Sequence, residues 1–159
     1  MATNYKQGFF KPKFPDKYRG DANNIVYRSG WERRAMQSFD ENVNIIRWSS
    51  EEIVIPYVSP VDNKVHRYFP DFYVEARAPD GSVKVMLLEV KPIAQTQAPK
   101  KPQRQTKRFL NEVMTYGVNQ AKWDAASKYC QHKGWEFKLI TEKELFNRSE
   151  EHTSELQSH

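Results

Sequence analysis

Residues 66–91 read HRYFPDFYVEARAPDGSVKVMLLEVK and contain two β-rich runs separated by a tight-turn signal. The signal is Asp80-Gly81, a pair that strongly favours the two-residue connection of a β-hairpin. We therefore predict strands over residues 66–75 and 83–91. The apolar stretch 85–88 marks the second strand as buried, so we expect the hairpin to lie at the centre of the fold.

The charged residues of this hairpin lie at positions where its strands can bring them together. Asp71 follows Pro70 in the first strand, and Glu89 and Lys91 end the second. Side chains two residues apart on a strand share a face, so Glu89 and Lys91 point the same way. Asp71 meets them if the register of the hairpin places it opposite.

A meeting of Asp71 with Glu89 has a chemical consequence, because two carboxylates repel each other unless a cation lies between them. Their hard oxygens suit Mg²⁺ or Mn²⁺. Such a metal would polarise a phosphodiester and supply hydroxide from a bound water. Lys91 would orient that water or offset the charge that builds on the phosphate oxygens. The pattern predicts a metal-dependent site for phosphodiester hydrolysis.

The spacing by itself also fits a simpler interpretation, a solvated pairing of charges across neighbouring strands. Three features of the surrounding sequence favour catalysis instead. The run 85–88 is apolar, Pro70 can force a bulge beside Asp71, and a proline-containing loop over residues 93–102 follows Lys91. We expect a substrate to pass along that loop.

The rest of the chain adds helices around this hairpin. Residues 29–42 have helical spacing, and Ser29 with Glu32 forms an S-x-x-E capping box. Thr141 and Glu144 form a second capping box for a terminal helix. The remaining predicted elements are strands at 45–48, 53–58 and 136–140 and helices at 105–116 and 119–133. We expect a mixed α/β (α+β) fold, in which a central mixed sheet built on an antiparallel meander is flanked by helices.

Length and composition limit the classes of protein to which the chain can belong. It has 159 residues, 38% hydrophobic and 28% charged, which suits one folded domain rather than a disordered chain. The single Cys130 excludes an intramolecular disulfide and is expected to be a packed helix residue. No apolar run approaches the roughly 20 residues of a membrane span. The net charge of +5 permits attraction to a polyanion such as DNA.

The first residues, 1–19, are predicted to form an extended basic arm, and the domain proper to occupy residues 20–147. Lysines and prolines in this arm alternate with the aromatic residues Phe9, Phe10, Phe14 and Tyr18. The pattern fits a strap anchored on the domain and fits an arm that contacts DNA equally well.

The last twelve residues, 148–159, read RSEEHTSELQSH and resemble the translation of a common DNA-sequencing adapter. We expect this tail to be disordered and foreign to the natural protein. It carries one Arg and three Glu, so residues 1–147 have 24 basic and 17 acidic side chains and a net charge of +7.

Several motifs resemble the head completion nucleases of large contractile-tailed phages. They lie between residues 17 and 145 and read Lys17-Tyr18-Arg19-Gly20-Asp21, Tyr27-Arg28-Ser29-x-Trp31-Glu32, Val54-Ile55-Pro56-Tyr57, Arg67-Tyr68-Phe69-x-Asp71-Phe72, Glu89-Val90-Lys91-Pro92 and Lys107-Arg108-Phe109-x-Asn111-Glu112. The same skeleton is similar, more distantly, to the transposon endonuclease TnsA.

This resemblance implies a restriction-endonuclease-like fold of the PD-(D/E)xK superfamily that uses Mg²⁺ or Mn²⁺ and cleaves double-stranded DNA. It implies action in head completion and head-tail joining, with phage head or portal proteins as partners. The implied location is the host cytoplasm during phage assembly or the virion head, with no membrane and no nucleotide cofactor. By motif position, the implied catalytic residues are Glu32, Asp71, Glu89 and Lys91, of which Asp71, Glu89 and Glu32 would bind the metal.

A basic run follows the proposed site. It consists of Lys100, Lys101, Arg104, Lys107 and Arg108, and the last three are expected to share one helical face at spacing i, i+3 and i+4. Such a run is ordinarily a solvated helix face. Beside an active-site loop it is also well placed to bind DNA phosphates, which confers affinity without sequence specificity.

Two questions stay open at this point. Glu32 fits a helix cap and fits a metal site, and one side chain cannot be assigned to either from the pattern alone. The chain as a whole fits a DNA endonuclease, a non-catalytic structural protein that binds DNA or the portal vertex, and a TnsA-like transposase subunit.

Overall fold

The computed structural model describes residues 7–147, with the side chains of residues 146 and 147 left aside. Two α-helices and eight strands form the fold. In chain order they are β1 (Gly8–Phe9), β2 (Val26–Tyr27), α1 (Gly30–Glu41), β3 (Ile45–Ser50), β4 (Ile55–Val58), β5 (Val65–Tyr68), β6 (Phe72–Arg77), β7 (Val83–Val90), α2 (Lys107–Lys133) and β8 (Glu136–Ile140). Short 3-10 turns occur at Pro15–Lys17 and Ile93–Thr96, and a π-helical turn at Lys143–Asn147.

Four strands make the central sheet, in the order β3-β6-β7-β8. β3, β6 and β7 are antiparallel, whereas β8 lies parallel to β7 after the chain has crossed over through α2. The predicted hairpin is present as β6 and β7. Its turn contains Gly81 at a φ of 88°, a left-handed conformation that glycine adopts without steric cost. The expectation of a central mixed sheet flanked by helices is confirmed.

The predicted strand over residues 66–75 is wrong in one respect, because the chain breaks at Phe69-Pro70-Asp71. Before the break, β5 pairs with β4 in a separate two-stranded sheet, and after it β6 enters the central sheet. Proline has no amide proton to donate to a strand ladder, so Pro70 ends one pairing before the next begins. The centre is therefore not one continuous meander.

The two predicted helices at 105–116 and 119–133 are one helix of 27 residues, α2. Thr106 caps its N-terminus, because the Thr106 hydroxyl accepts from the amide of Phe109. Gly134, in the left-handed conformation, caps its C-terminus. Gly117 lies inside α2 although glycine costs about 1 kcal/mol in a helix. α2 packs against β4 and β8, and this tertiary packing offsets the cost of a single glycine.

Both faces of the central sheet are covered. One face packs against α1 and the N-terminal segment, with Trp48 completely buried among Met36, Phe39 and Phe72. The other face packs against α2 and β4, with Leu87 buried beside Trp123 and Cys130. The expectation for Cys130 is confirmed, because it is a free, buried helix residue. No helix in the described residues 7–147 is long and apolar enough to cross a membrane.

The described part of the N-terminal segment, residues 7–19, is anchored to the domain. Phe10 and Tyr18 pack edge-on against Trp48, with ring centroids 5.8 and 4.8 Å away. Lys17 donates to the carbonyls of Phe39, Asp40 and Asn42 at the end of α1. These contacts favour the anchored strap over the DNA-contacting arm for this segment. The division of the chain at residues 19 and 20 stays a prediction.

The C-terminal capping pair forms as expected, but the helix after it does not. The amide of Thr141 donates to the carboxylate of Glu144 at 2.7 Å, and the amide of Lys143 donates to the Thr141 hydroxyl. Beyond the cap, the chain makes the single π-helical turn Lys143–Asn147 rather than an α-helix. The adapter-like tail, 148–159, lies outside the described residues.

Candidate active site

Asp71 and Glu89 lie opposite each other at one end of the hairpin. The last paired residues of β6 and β7 are Phe72 and Leu88, so the next antiparallel pair in this register is Asp71 and Glu89. The main-chain amide of Val90 donates to Oδ2 of Asp71 at 2.8 Å. The register that the sequence required is therefore present, and it brings the two carboxylates together.

Glu89 is bonded on one side by Tyr68 of the β4-β5 hairpin. Its side chain ends the apolar run of β7, and the residue is only 7% exposed. The hydroxyl of Tyr68, the last residue of β5, donates to Oε1 of Glu89 at 2.7 Å. The other oxygen, Oε2, lies 3.8 Å from Nζ of Lys91. One carboxylate oxygen is thus fixed by the protein and the other faces the lysine.

Lys91 shares a face with Glu89, as two residues of alternate position on one strand should. Its main-chain amide donates to the carbonyl of Ile140 in β8 at 2.9 Å, which extends the parallel pairing past the end of β7. The side chain is 28% exposed, so it is partly open to solvent. It is the cation beside both carboxylates.

Burial raises the pKa of both carboxyl groups. The pKa of Asp71 lies well above its ordinary value because the group is desolvated and because Glu89 and Glu32 are near; the Val90 amide and Lys91 oppose this. The pKa of Glu89 is raised by desolvation, against the Tyr68 hydroxyl and Lys91. Two negative charges in this place therefore destabilise the protein unless a proton or another cation compensates them.

Glu32 lies in the first turn of α1 and is used differently from the prediction. Its amide donates to Oγ of Ser29 at 3.1 Å, as a capping box requires. Its carboxylate Oε1, however, accepts from the amide of Arg28 at 3.1 Å and not from Ser29. The pKa of Glu32 is raised by burial and then by the nearby Glu51. Glu32 thus borders the pair, since it raises the pKa of Asp71.

The three predicted metal ligands do not form a closed ligand set. Within the described residues, no group of three or more Asp, Glu, His or Cys side chains is placed to hold a metal ion together. Asp71 and Glu89 converge, and Glu32 stands further out. The pair nevertheless suits Mg²⁺, which typically keeps several waters and uses only one or two carboxylates.

Comparisons with known proteins agree with this geometry. Residues 42–142 match the family model described as TnsA-like endonuclease N terminal. The head completion nuclease of Enterobacteria phage T4 is 41% identical over 142 residues, which cover 87% of this chain and 92% of that protein.

The chain belongs to the TnsA-like endonuclease family. The family match contains Asp71, Glu89 and Lys91 but begins after Glu32. The resemblance inferred from the motifs is thereby confirmed, whereas the roles of the individual residues stay predictions.

In this TnsA-like chain, the basic run does not lie on one helical face. α2 begins at Lys107, so Lys100, Lys101 and Arg104 belong to the irregular segment before it. All are exposed, as are Lys107 and Arg108, and Arg108 pairs with Glu112 at 3.2 Å. The prediction of a shared face for Arg104 was wrong because the helix starts three residues later.

A groove of about 750 Å³ lies between the loop after Lys91 and the first half of α2. Ala94 and Pro99 line one wall, and Lys107 and Asn119 lie at the two ends of the other. Its lining begins at Ala94, three residues after Lys91. The expectation that a substrate passes along this loop stays a prediction.

Several residues of the TnsA-like site were assigned no role from the sequence. Tyr68 lies in one of the motifs given above, three residues before Asp71, and that position could have identified it as part of the site. Glu51 has a φ of 54°, unusual for a residue with a side chain, and its amide donates to the carbonyl of Asp71. Its carboxylate pairs with Arg28. Nothing in the local sequence predicts that backbone conformation.

Proposed function

We propose that this protein is a metal-dependent DNA endonuclease that hydrolyses phosphodiester bonds during phage head completion and head-tail joining. The observation that carries the proposal is the convergence of Asp71, Glu89 and Lys91 at the end of one hairpin in a TnsA-like chain. A solvated charge pairing does not explain it, because Glu89 is 7% exposed and the pKa of both carboxyl groups is raised.

The carboxylates would hold a divalent metal, for which we propose Mg²⁺ or Mn²⁺. Asp71 and Glu89 would each contribute an oxygen, with Glu32 outside them to hold a metal-bound water. The metal would polarise the phosphodiester and lower the pKa of the attacking water. Lys91 would offset charge on the phosphate oxygens in the transition state, since its ammonium group lies beside both carboxylates.

Double-stranded DNA is the proposed substrate, and the basic segment 100–108 is its proposed contact. Lys100, Lys101, Arg104 and Lys107 are exposed, and Lys107 borders the groove beside the loop that follows Lys91. Arg108 forms an ion pair with Glu112, so we expect it to contribute less to DNA binding. Phosphate contacts of this kind give affinity without sequence preference.

The setting of this activity is proposed from the relatives. The T4 relative is named a head completion nuclease, which favours phage head or portal proteins as partners. We place the protein in the host cytoplasm during phage assembly or in the virion head. A TnsA-like subunit that cuts only within a transposase complex is the second candidate, favoured by the family match alone.

Cleavage of closed circular DNA tests the proposal. Purified protein is incubated with supercoiled and linear duplexes in Mg²⁺, Mn²⁺ or EDTA, beside Asp71→Asn. We expect nicking or linearisation of the circle in metal only, and by the unaltered protein only. Persistent cleavage by Asp71→Asn would contradict the assigned site. DNA binding without cleavage under every metal condition would favour a structural role or a partner-dependent enzyme.

A further inference from the structure

The position of Tyr68 beside the site follows from the division of the fold into two sheets. It is the last residue of β5, and the break at Phe69-Pro70-Asp71 comes directly after it. Tyr68 therefore belongs to the β4-β5 sheet, while Asp71, three residues later, leads into the central sheet. The side chain of Tyr68 is 4% exposed and reaches across to Glu89 from outside the sheet that carries Glu89.

The hydrogen bond from Tyr68 to Glu89 gives the two carboxylate oxygens of Glu89 different surroundings. A hydroxyl donates one proton, and here it donates to Oε1 at 2.7 Å. This bond holds Oε1 on the side of β5. Oε2 is left on the side of Lys91, at 3.8 Å from its ammonium nitrogen. The carboxylate of Asp71 is similar, because its Oδ2 accepts from the Val90 amide.

A second cation lies behind this bond. The ammonium group of Lys122, on α2, lies 5.7 Å from the centre of the Tyr68 ring and 5.9 Å from that of Tyr57. A cation over an aromatic face is attracted to it, which helps to hold the ring in place. The positive charge of Lys122 also lowers the pKa of Glu89. Helix α2 and the β4-β5 sheet thus both act on one carboxylate.

We propose that Tyr68 is a positioning residue, whose hydroxyl fixes Oε1 of Glu89 so that Oε2 is presented to the catalytic cation. This inference rests on the proposed function and adds a residue outside the acidic and lysine motif. Tyr68 would act through Glu89 and not by contact with the cation or the DNA. Preorganising a ligand in its bound orientation removes an ordering cost from binding, so the effect should appear in metal affinity.

The alternative is a purely structural bond that satisfies a buried hydroxyl. The sheet contains a matched pair for this comparison, because Tyr73 donates to Oε2 of Glu75 at 2.6 Å. Tyr73 is also buried, at 5% exposure, although its bond to Glu75 is only partly buried, and Glu75 lies in β6 away from the candidate site. Tyr73→Phe removes the same chemical bond without touching Glu89.

The test measures Mn²⁺ binding in the absence of DNA, by electron paramagnetic resonance or calorimetry, for the unaltered protein, Tyr68→Phe and Tyr73→Phe. We expect Tyr68→Phe to bind Mn²⁺ about tenfold more weakly, since hydrogen bonds to charged groups are strong. It should also need about tenfold more metal for half-maximal cleavage, with most of the maximal rate retained. Tyr73→Phe should bind Mn²⁺ as the unaltered protein does.

The melting temperature in EDTA serves as the structural readout. A purely structural bond predicts a lower melting temperature for Tyr68→Phe with unchanged Mn²⁺ affinity, and that result would overturn the inference. Equal losses of affinity in Tyr68→Phe and Tyr73→Phe would also overturn it. If the unaltered protein binds Mn²⁺ but does not cut DNA, the proposed function fails while this comparison still decides the role of Tyr68.

A second background covers the case in which Tyr68→Phe alone does not fold. Glu89→Met and Tyr68→Phe with Glu89→Met are compared, because replacing both partners of a buried bond by apolar groups is tolerated better than removing one. If Tyr68 acts through Glu89, the added Tyr68 change has no further effect on the residual Mn²⁺ affinity. A further loss in that background would show that Tyr68 acts on the cation by another route.

Discussion

The amide of Val90 donates a 2.8 Å hydrogen bond to Oδ2 of Asp71, so the aspartate is fixed by the residue that separates Glu89 from Lys91. The three motif side chains therefore share one local frame at the end of the hairpin. The pKa values of Asp71 and Glu89 are both raised, so the negative charges that the proposed activity needs reduce the stability of the metal-free protein.

Asp71→Asn should abolish cleavage yet stabilise the metal-free protein at neutral pH. The asparagine carbonyl can still accept from the Val90 amide, whereas the buried negative charge is gone. A carboxyl group whose pKa is raised on folding contributes stability below its ordinary pKa and loses that contribution as the pH rises through the raised value. The gain in melting temperature should thus grow from about pH 4 towards pH 8 in EDTA. Scanning calorimetry across that range measures it, and a destabilised Asp71→Asn at pH 8 would argue against a charge cost at this site.

Addition of Mg²⁺ or Mn²⁺ should raise the melting temperature of the unaltered protein. A ligand at one hundred times its dissociation constant stabilises the folded state by about 2.7 kcal/mol. For a chain of this size that corresponds to about 5–10 °C. Asp71→Asn should lose most of this shift. An equal shift in both proteins would mean that the metal binds elsewhere.

Glu32→Gln separates the cap from the metal site. The glutamine carbonyl can accept from the Arg28 amide as Glu32 does, so the melting temperature should change little. A neutral amide attracts a divalent cation far less, and cleavage should fall by about tenfold or more, with partial recovery in Mn²⁺. Full activity of Glu32→Gln would restrict Glu32 to the start of α1.

Replacement of Lys100, Lys101 and Lys107 by glutamine should weaken DNA binding and flatten its dependence on salt. Each lost phosphate contact reduces the slope of log affinity against log salt concentration by about 0.9. Lys84→Gln is the matched control, because Lys84 is an exposed lysine at the opposite end of β7 from Glu89. Fluorescence anisotropy at several salt concentrations measures both. A steeper or unchanged slope in the triple variant would remove this segment from the DNA contact.

Much of this hairpin was predictable because its determinants are local. Asp80-Gly81 fixes the turn, and the turn fixes the register that places Asp71 opposite Glu89. The same local rules predicted the Ser29 cap of α1 and the end of α2 at Lys133.

The failures share a different cause, which is contact between distant segments. The unbroken course of α2 through Gly117 depends on its packing against β4 and β8, and the break before β6 depends on a second sheet for β5 to join. Tyr68 reaches Glu89 only because of that second sheet. None of these contacts has a signature within a window of ten or fifteen residues.

The parallel strand β8 has a consequence for the time at which the protein becomes active. The amide of Lys91 is held by the carbonyl of Ile140, 49 residues further along the chain. A nascent chain that has left the ribosome only as far as α2 carries every motif residue but lacks the strand that supports Lys91. We expect such an unfinished chain to be unable to cut DNA until β8 has been made and has paired with β7.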